Sequence, residues 1–349
     1  ASRPGGRRLA AVAGGNGRTR AVSGVRSRVK RVLLLGGTGF IGSAVLNRLR
    51  QRKDVRVMML AHANVNYREL EDVNLVVGSL TSFDLSWIDI FEPDTILHLA
   101  RLGGRFSAAR RLAATRGWFA NRRLIAKLVR LKSPPRVVYV SGTLVYGDRG
   151  EQWTDERSPI LPAAYARQYI VAERPWMAAQ RTGELPVIMV RPPWVVGSAS
   201  WFATYYARVL AVEGEVPCYG EGANWMTFVD LDDCAGLILH VAERGTSGQS
   251  YNLLAPGQHA RQRDFAQLLA TLAGTSVAFI DRRTLHRRLE TGAAEALATS
   301  ARVTTIHADV LQSYPFHHPN WEVFVERHLS DCLKSRSESP TVSFTLGVS

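Results

Sequence analysis

The chain has 349 residues, room for one large domain or two joined ones, and its 46% hydrophobic content suits a sizeable buried core. Three scattered cysteines, Cys218, Cys234 and Cys332, argue against a disulfide framework, and the lack of a Cys-x-x-Cys pair argues against a structural zinc site. The formal charge of +14 is lopsided: residues 1–31 hold eight arginines and Lys30 with no acid, and the other 318 residues carry only +5, so a nucleic-acid-binding face is not expected.

In chain order, residues 1–31 read as a basic, disordered leader, a solvated tail in the first instance. Being Arg-rich and acid-free, it also has the composition of a targeting segment. The apolar run after Arg7-Arg8 is too short for a signal, and no later stretch reaches the ~18 apolar residues of a membrane span. A cytoplasmic protein is expected, with organellar import as the alternative. Strand-like runs then alternate with helical spacing. Val32–Leu35, Val55–Leu60, Leu75–Val77, Thr95–Leu99, Val137–Val140 and Val187–Val190 read as strands. Ile41–Arg52, a helix ending at Leu124–Leu131, and Ala163–Ala179 read as helices. Short apolar strands separated by helices predict an α/β fold, a doubly wound parallel sheet covered on both faces.

Beyond Gly197 the pattern changes. Trp201, Phe202, Tyr205 and Tyr206 cluster, and a turn at Tyr219–Gly222 leads to Phe228-Val229. Helices over Ala235–Ala242 and around Phe265–Leu272 flank a strand at Tyr251–Leu254. The expected organisation is a dinucleotide-binding domain over 32–196, a smaller α/β substrate lobe over 197–330 interleaved with it, and a loose tail over 331–349.

The first strand runs into Gly36-Gly37-Thr38-Gly39-Phe40-Ile41-Gly42, a G-x-x-G-x-x-G turn that opens a helix. The first glycine permits the tight turn, the second lets the backbone approach a pyrophosphate, and the third lets the helix pack close to the strand. The helix N-terminus adds free N–H groups and partial positive charge. A bound dinucleotide, NAD or NADP, is the expected ligand. A carboxylate near the end of the second strand would hold the adenine-side ribose diol of NAD. None stands at Leu60-Ala61-His62, which favours NADP, with His62 or Arg56 toward the 2′-phosphate.

Four segments together resemble the extended short-chain dehydrogenase/reductase family, also called the NAD-dependent epimerase/dehydratase family. They are the glycine turn, Ile96–Ala100, Val138–Gly147 and Val190-Arg191-Pro192. The resemblance implies a Rossmann-type domain with a C-terminal substrate lobe, and chemistry by a Tyr-x-x-x-Lys pair with a Ser or Thr hydroxyl. It assigns cofactor contact to Gly36, Thr38, Gly39, Phe40, Ile41, Gly42, His62, Leu80, Leu99, Ala100, Arg101, Tyr165 and Pro192. Tyr165 falls at the catalytic tyrosine and Glu173 at a frequent glutamate. The lysine position is Tyr169, and the hydroxyl position is Gly142, with hydroxyls only at its neighbours Ser141 and Thr143. The family's asparagine after Arg-Pro is Trp194, its adenine-side aspartate is Ser79, and the arginine used on a substrate diphosphate is Met226.

These departures shape the expected function. The first reading is an NAD(P)-dependent oxidoreductase or epimerase with Tyr165 as acid/base and Thr143 or Ser141 supplying the hydroxyl. Lowering a phenol's pKa needs a nearby cation, which Arg101 or Arg191 supplies only if the fold brings it close. The substrate is expected to be a small hydroxyl- or carbonyl-bearing molecule, not a nucleotide sugar, because of Met226. The second reading is a non-redox cyclase, lyase or isomerase, its pocket lined by Trp194, Tyr169, Trp201 and Tyr205 and suited to a hydrophobic substrate, while each of these aromatics taken singly reads as core. The third is a non-catalytic dinucleotide-binding structural or regulatory subunit. No metal is expected. A homodimer is expected through Trp118–Leu131 and Tyr165–Ala179.

Overall fold

A computed structural model of the chain describes residues 29–62, 70–71, 73–104 and 107–337. In chain order come β1 (Lys30–Leu35), α1 (Phe40–Arg50), β2 (Val55–Ala61), β3 (Asn74–Val77), α2 (Ser86–Phe91), β4 (Thr95–His98), α3 (Ser107–Leu128), β5 (Arg136–Val140), β6 (Trp153–Thr154), α4 (Ala164–Thr182), β7 (Val187–Arg191) and β8 (Trp194–Val196). Then follow α5 (Arg208–Glu213), β9 (Val216–Tyr219), β10 (Trp225–Asp230), α6 (Leu231–Arg244), β11 (Ser250–Asn252), β12 (His259–Arg261), α7 (Gln262–Ala273), β13 (Val277–Ile280), α8 (Arg282–Arg288), α9 (Thr291–Ala298), β14 (Arg302–Val303), α10 (Ala308–Gln312) and α11 (Trp321–Ser337).

Seven strands form one sheet in the order β11-β7-β5-β4-β1-β2-β3, and every pairing in it is parallel. The expected doubly wound α/β fold is what the chain adopts. Side chains alternate across a strand, so the leucine run of β1 feeds both faces. Leu34 joins the core under α1 and α6. Leu33 and Leu35 join the core with Leu124 and Leu128 of α3 and Trp176 of α4. Uninterrupted apolar strands are the sequence form of a sheet buried on both faces. The strand order reverses beside β1, whose neighbours are β2 and β4. Ligands of such sheets bind beyond the carboxyl ends of the strands at that reversal. The Leu99 N–H donates to the Leu35 carbonyl (2.8 Å), which ties the segment after β4 to the glycine turn.

Two expected boundaries shift. β1 opens at Lys30, so Lys30 and Arg31 belong to the sheet and not to the leader. The reason is pairing: Arg31 N–H donates to Asp94 Oδ2 (2.8 Å), and its guanidinium pairs with Glu92. Residues 1–28 of the leader lie outside the described residues. The segment expected to be loose from residue 331 begins as helix, since α11 continues to Ser337 and Leu329 and Cys332 anchor it in the second core. That core is aromatic, with Phe202, Tyr206, Phe228 and Phe265 fully buried. It underlies β8, β10 and β12, which form a separate three-stranded sheet. α6 and β11 return from this half of the sequence to the main sheet, so the two halves interleave. Among the described residues no helix is long and apolar enough to cross a membrane.

Candidate active site

The glycine turn is built as a cradle. Gly36 has φ +91°, and a Cβ there would stand 2.6 Å from the Ala100 nitrogen. A Cβ at Gly42 would collide with the Gly36 carbonyl. Gly39 differs: its surroundings are open apart from the Gly36 carbonyl 3.4 Å away, and with Thr38 it is exposed. So Gly36 and Gly42 serve the packing of the turn, while Gly39 leaves backbone bare to an approaching ligand. Helix α1 starts at Phe40 with no side-chain cap and no acid in its first turn. Its free N–H groups and dipole therefore face an anion without competition. The side chains of Phe40 and Ile41 pack on the core, leaving their backbone for that role.

Around the cradle, Leu99, Ala100 and Arg101 follow β4 directly, and Leu80 is buried after β3. The Ser79 hydroxyl is engaged with Thr81 (2.9 Å) and Ser82 (3.0 Å). His62 is exposed just past β2. Pro192 is buried beyond β7, and its carbonyl accepts from Thr143 N–H (3.1 Å).

Tyr165 lies in the first turn of α4 and is partly exposed, with Tyr169 one turn further on the same face. Their rings meet edge to face at 5.8 Å. Of the two arginines that needed the fold to bring them in, Arg101 arrives. Its guanidinium is 3.8 Å from the centre of the Tyr169 ring and 3.8 Å from Glu173 Oε1, and Nη2 donates to the Ser141 carbonyl (3.5 Å). Its charge acts on Tyr169, Glu173 and Tyr139. Arg191 is instead held in the interior, donating to Tyr146 Oη (2.6 Å), which donates to Asn252 Oδ1 (2.8 Å). Arg167 points outward to Glu295.

The two hydroxyls nominated to replace a side chain at Gly142 are placed as follows. Ser141 is buried and donates to Glu173 Oε2 (2.8 Å), so it faces the interior. Thr143 is buried at the start of a short 3-10 turn. A Cβ on Gly142 would instead meet the phenol oxygen of Tyr169 at 3.3 Å. Glu173 is 1% exposed, and burial pushes its carboxyl up to about 7, against the pull of Arg101 and the Ser141 hydroxyl. Sequence reading noted Glu173 but missed its partnership with Ser141 and Arg101. Behind it, burial holds His98 down to about 4, and His98 Nε2 bonds Asn121 Oδ1 (2.9 Å).

The second half of the chain overhangs this point. Gly292 of α9 packs beside Tyr165, its Cβ position being 3.7 Å from Cδ2 of that ring. Arg110 of α3 is buried and pairs with Glu290 at the foot of α9. Tyr205 is half-buried and within electrostatic reach of Tyr165, Glu290 and Arg110. Trp194 and Trp201 pack on each other at 4.7 Å and onto the second core, with Trp201 Nε1 donating to the Val195 carbonyl (2.8 Å). Of the aromatics expected to line a pocket, these two serve mainly as packing. Met226 is fully buried in β10.

Residues 32–253 match the NAD dependent epimerase/dehydratase family. The dTDP-L-rhamnose 4-epimerase of Burkholderia thailandensis is 27% identical over 302 residues, covering 70% of this chain and 82% of that protein. The dTDP-glucose 4,6-dehydratase of Neisseria gonorrhoeae is 25% identical over 255 residues, covering 64% and 72%. Among solved structures, dTDP-glucose 4,6-dehydratase of Streptomyces venezuelae with NAD bound superposes with a TM-score of 0.69 at 23% identity, covering 89% and 99% of the two chains. UDP-glucuronic acid 4-epimerase of Bacillus cereus with NAD gives 0.70 at 17% identity, covering 90% and 100%.

Proposed function

The chain belongs to the NAD-dependent epimerase/dehydratase family, the extended short-chain dehydrogenase/reductase type, and we propose that it performs oxidoreductase or epimerase chemistry at a hydroxyl-bearing carbon with a bound nicotinamide dinucleotide. Thr38, Gly39 and the N-terminus of α1 would hold the pyrophosphate on the turn that Gly36 and Gly42 close, and Leu99–Arg101 and Pro192 would flank the rest. The bound nicotinamide supplies the hydride acceptor or donor. Tyr165 exchanges the proton of the substrate oxygen, at the place where α9 and Tyr205 overhang α4.

The observation that carries this reading is the placement of Arg101. A cation stands over the ring of Tyr169, against which Tyr165 packs, although no lysine does. The expectation against a nucleotide sugar rested on Met226 alone, and the relatives named for dTDP sugars weigh against it. We therefore place nucleotide-linked sugars in the substrate class to be tried first. For the cofactor, the missing carboxylate and His62 favour NADP, while solved neighbours bound to NAD favour NAD. The test is NAD(P)H binding by tryptophan fluorescence, followed by cofactor reduction with dTDP-glucose, dTDP-L-rhamnose and UDP-glucuronic acid. Absence of binding by either cofactor overturns the reading.

A second reading, a dinucleotide-binding subunit without redox chemistry, is favoured by Gly142 and Tyr169 standing where a hydroxyl and a lysine are used. Cofactor binding with no turnover of any sugar nucleotide, and a fixed partner at defined stoichiometry on purification, would support it. For assembly we propose a homodimer through Trp118–Leu131 and Tyr165–Ala179, where Phe119 and Val129 are exposed. Sedimentation of the full chain tests it.

A further inference from the structure

The two departures at Gly142 and Tyr169 are spatially one departure. Tyr169 is one helical turn beyond Tyr165, on the face of α4 that looks onto the end of β5. Its phenol oxygen stands 3.3 Å from where a Cβ on Gly142 would be, tighter than ordinary van der Waals contact. A side chain at 142 would therefore press on the Tyr169 phenol, which would have to give by a few tenths of an ångström. Gly142 itself is half-buried, and Tyr169 is buried beside it. The Tyr169 oxygen makes no hydrogen bond among the described residues, and burial keeps the phenol protonated. Arg101 fixes the ring by lying over it.

We infer that Tyr169 is a further catalytic residue of the site: its phenol donates the substrate hydrogen bond that residue 142 has no side chain to make, and Arg101 is the positioning residue that holds the ring. This rests on the redox reading above. A neutral phenol is a donor and not a base, so it complements Tyr165 without duplicating it.

The test is an exchange of oxygens. Tyr169→Phe keeps the ring beneath Arg101 and removes one oxygen. Gly142→Ser then adds a hydroxyl into the volume vacated. Both variants are checked by thermal melting, then by single-turnover reduction of NADP or NAD with the active sugar nucleotide. Binding of that sugar nucleotide to the cofactor-loaded chain is measured by calorimetry. Y169F is expected to lose about 100-fold in kcat with cofactor affinity unchanged. The double variant G142S/Y169F is expected to regain at least about tenfold of that loss and part of the lost sugar-nucleotide affinity. G142S alone is expected to melt lower than the double variant, because serine then crowds the phenol. Normal turnover and binding by Y169F, or a double variant no better than Y169F, overturns the inference and leaves the redox reading intact. A wild-type chain that binds cofactor but neither binds nor turns over a sugar nucleotide overturns both.

Discussion

The Arg101 guanidinium lies 3.8 Å from the centre of the Tyr169 ring and as far from the buried carboxylate of Glu173. One arginine from the loop after β4 thus brings positive charge to a helix whose sequence has none at the expected position. Its side chain is about a third exposed, so the stacking itself contributes little to stability, about 0.5–1 kcal/mol. Arg101→Met is therefore expected to melt within a few degrees of wild type. It should lose at least tenfold in kcat and weaken cofactor binding. Parallel melting and steady-state kinetics check this, and an inactive variant that also melts far lower would assign Arg101 a structural role instead.

Tyr165→Phe should abolish proton exchange at the substrate oxygen while leaving the dinucleotide bound. The expected result is a loss of 1000-fold or so in kcat, in the range of general acid–base catalysis joined to a lost hydrogen bond. Fluorescence titration with NADPH and NADH should give unchanged dissociation constants. Turnover equal to wild type removes Tyr165 from the chemistry.

The glycine turn separates folding from binding. Gly36→Ala forces an alanine to φ +91° and pushes its Cβ into the Ala100 backbone. The backbone strain alone costs about 1–3 kcal/mol, so the melting temperature should drop. Gly39 has φ −80° and open surroundings, so Gly39→Ala should fold normally and lose cofactor affinity about tenfold or more. Differential scanning calorimetry and cofactor titration on both variants decide it. Equal effects of the two on binding and melting would contradict the division of roles.

Two buried groups give opposite pH dependences. Glu173 has its folded pKa raised to about 7, so between its ordinary 4.5 and 7 the native state holds a proton that the unfolded chain releases. Stability from this group falls as pH rises through that window, by on the order of 3 kcal/mol in all. His98 has its folded pKa lowered to about 4, so the unfolded chain binds the proton first, and stability falls as pH drops from 6.5 toward 4. In urea unfolding at pH 4.5, 5.5, 6.5 and 7.5, Glu173→Gln should remove the loss on the alkaline side. His98→Gln should remove the loss on the acid side. Slopes of the opposite sign would show that these groups titrate otherwise.

What the sequence determined by itself was whatever depends on near neighbours in the chain. The apolar strands of β1, β4, β5 and β7, the Gly36–Gly42 turn and the i, i+4 placement of Tyr165 and Tyr169 all follow from local spacing, and with them the parallel sheet and the family. It also exposed the gaps at Gly142 and Tyr169, because those are positions in a motif. It did not show that the gaps face each other or that Ser141 turns inward to Glu173. Nor could it choose between Arg101 and Arg191 as the cation. Arg101 follows β4 and Arg191 ends β7, and only the register of β4 against β1 and of β11 against β7 sends one toward α4 and pins the other under Tyr146 and Asn252. Charge acts through space, and the 68-residue separation of Arg101 and Tyr169 is closed by packing of helix on sheet, which no local spacing records.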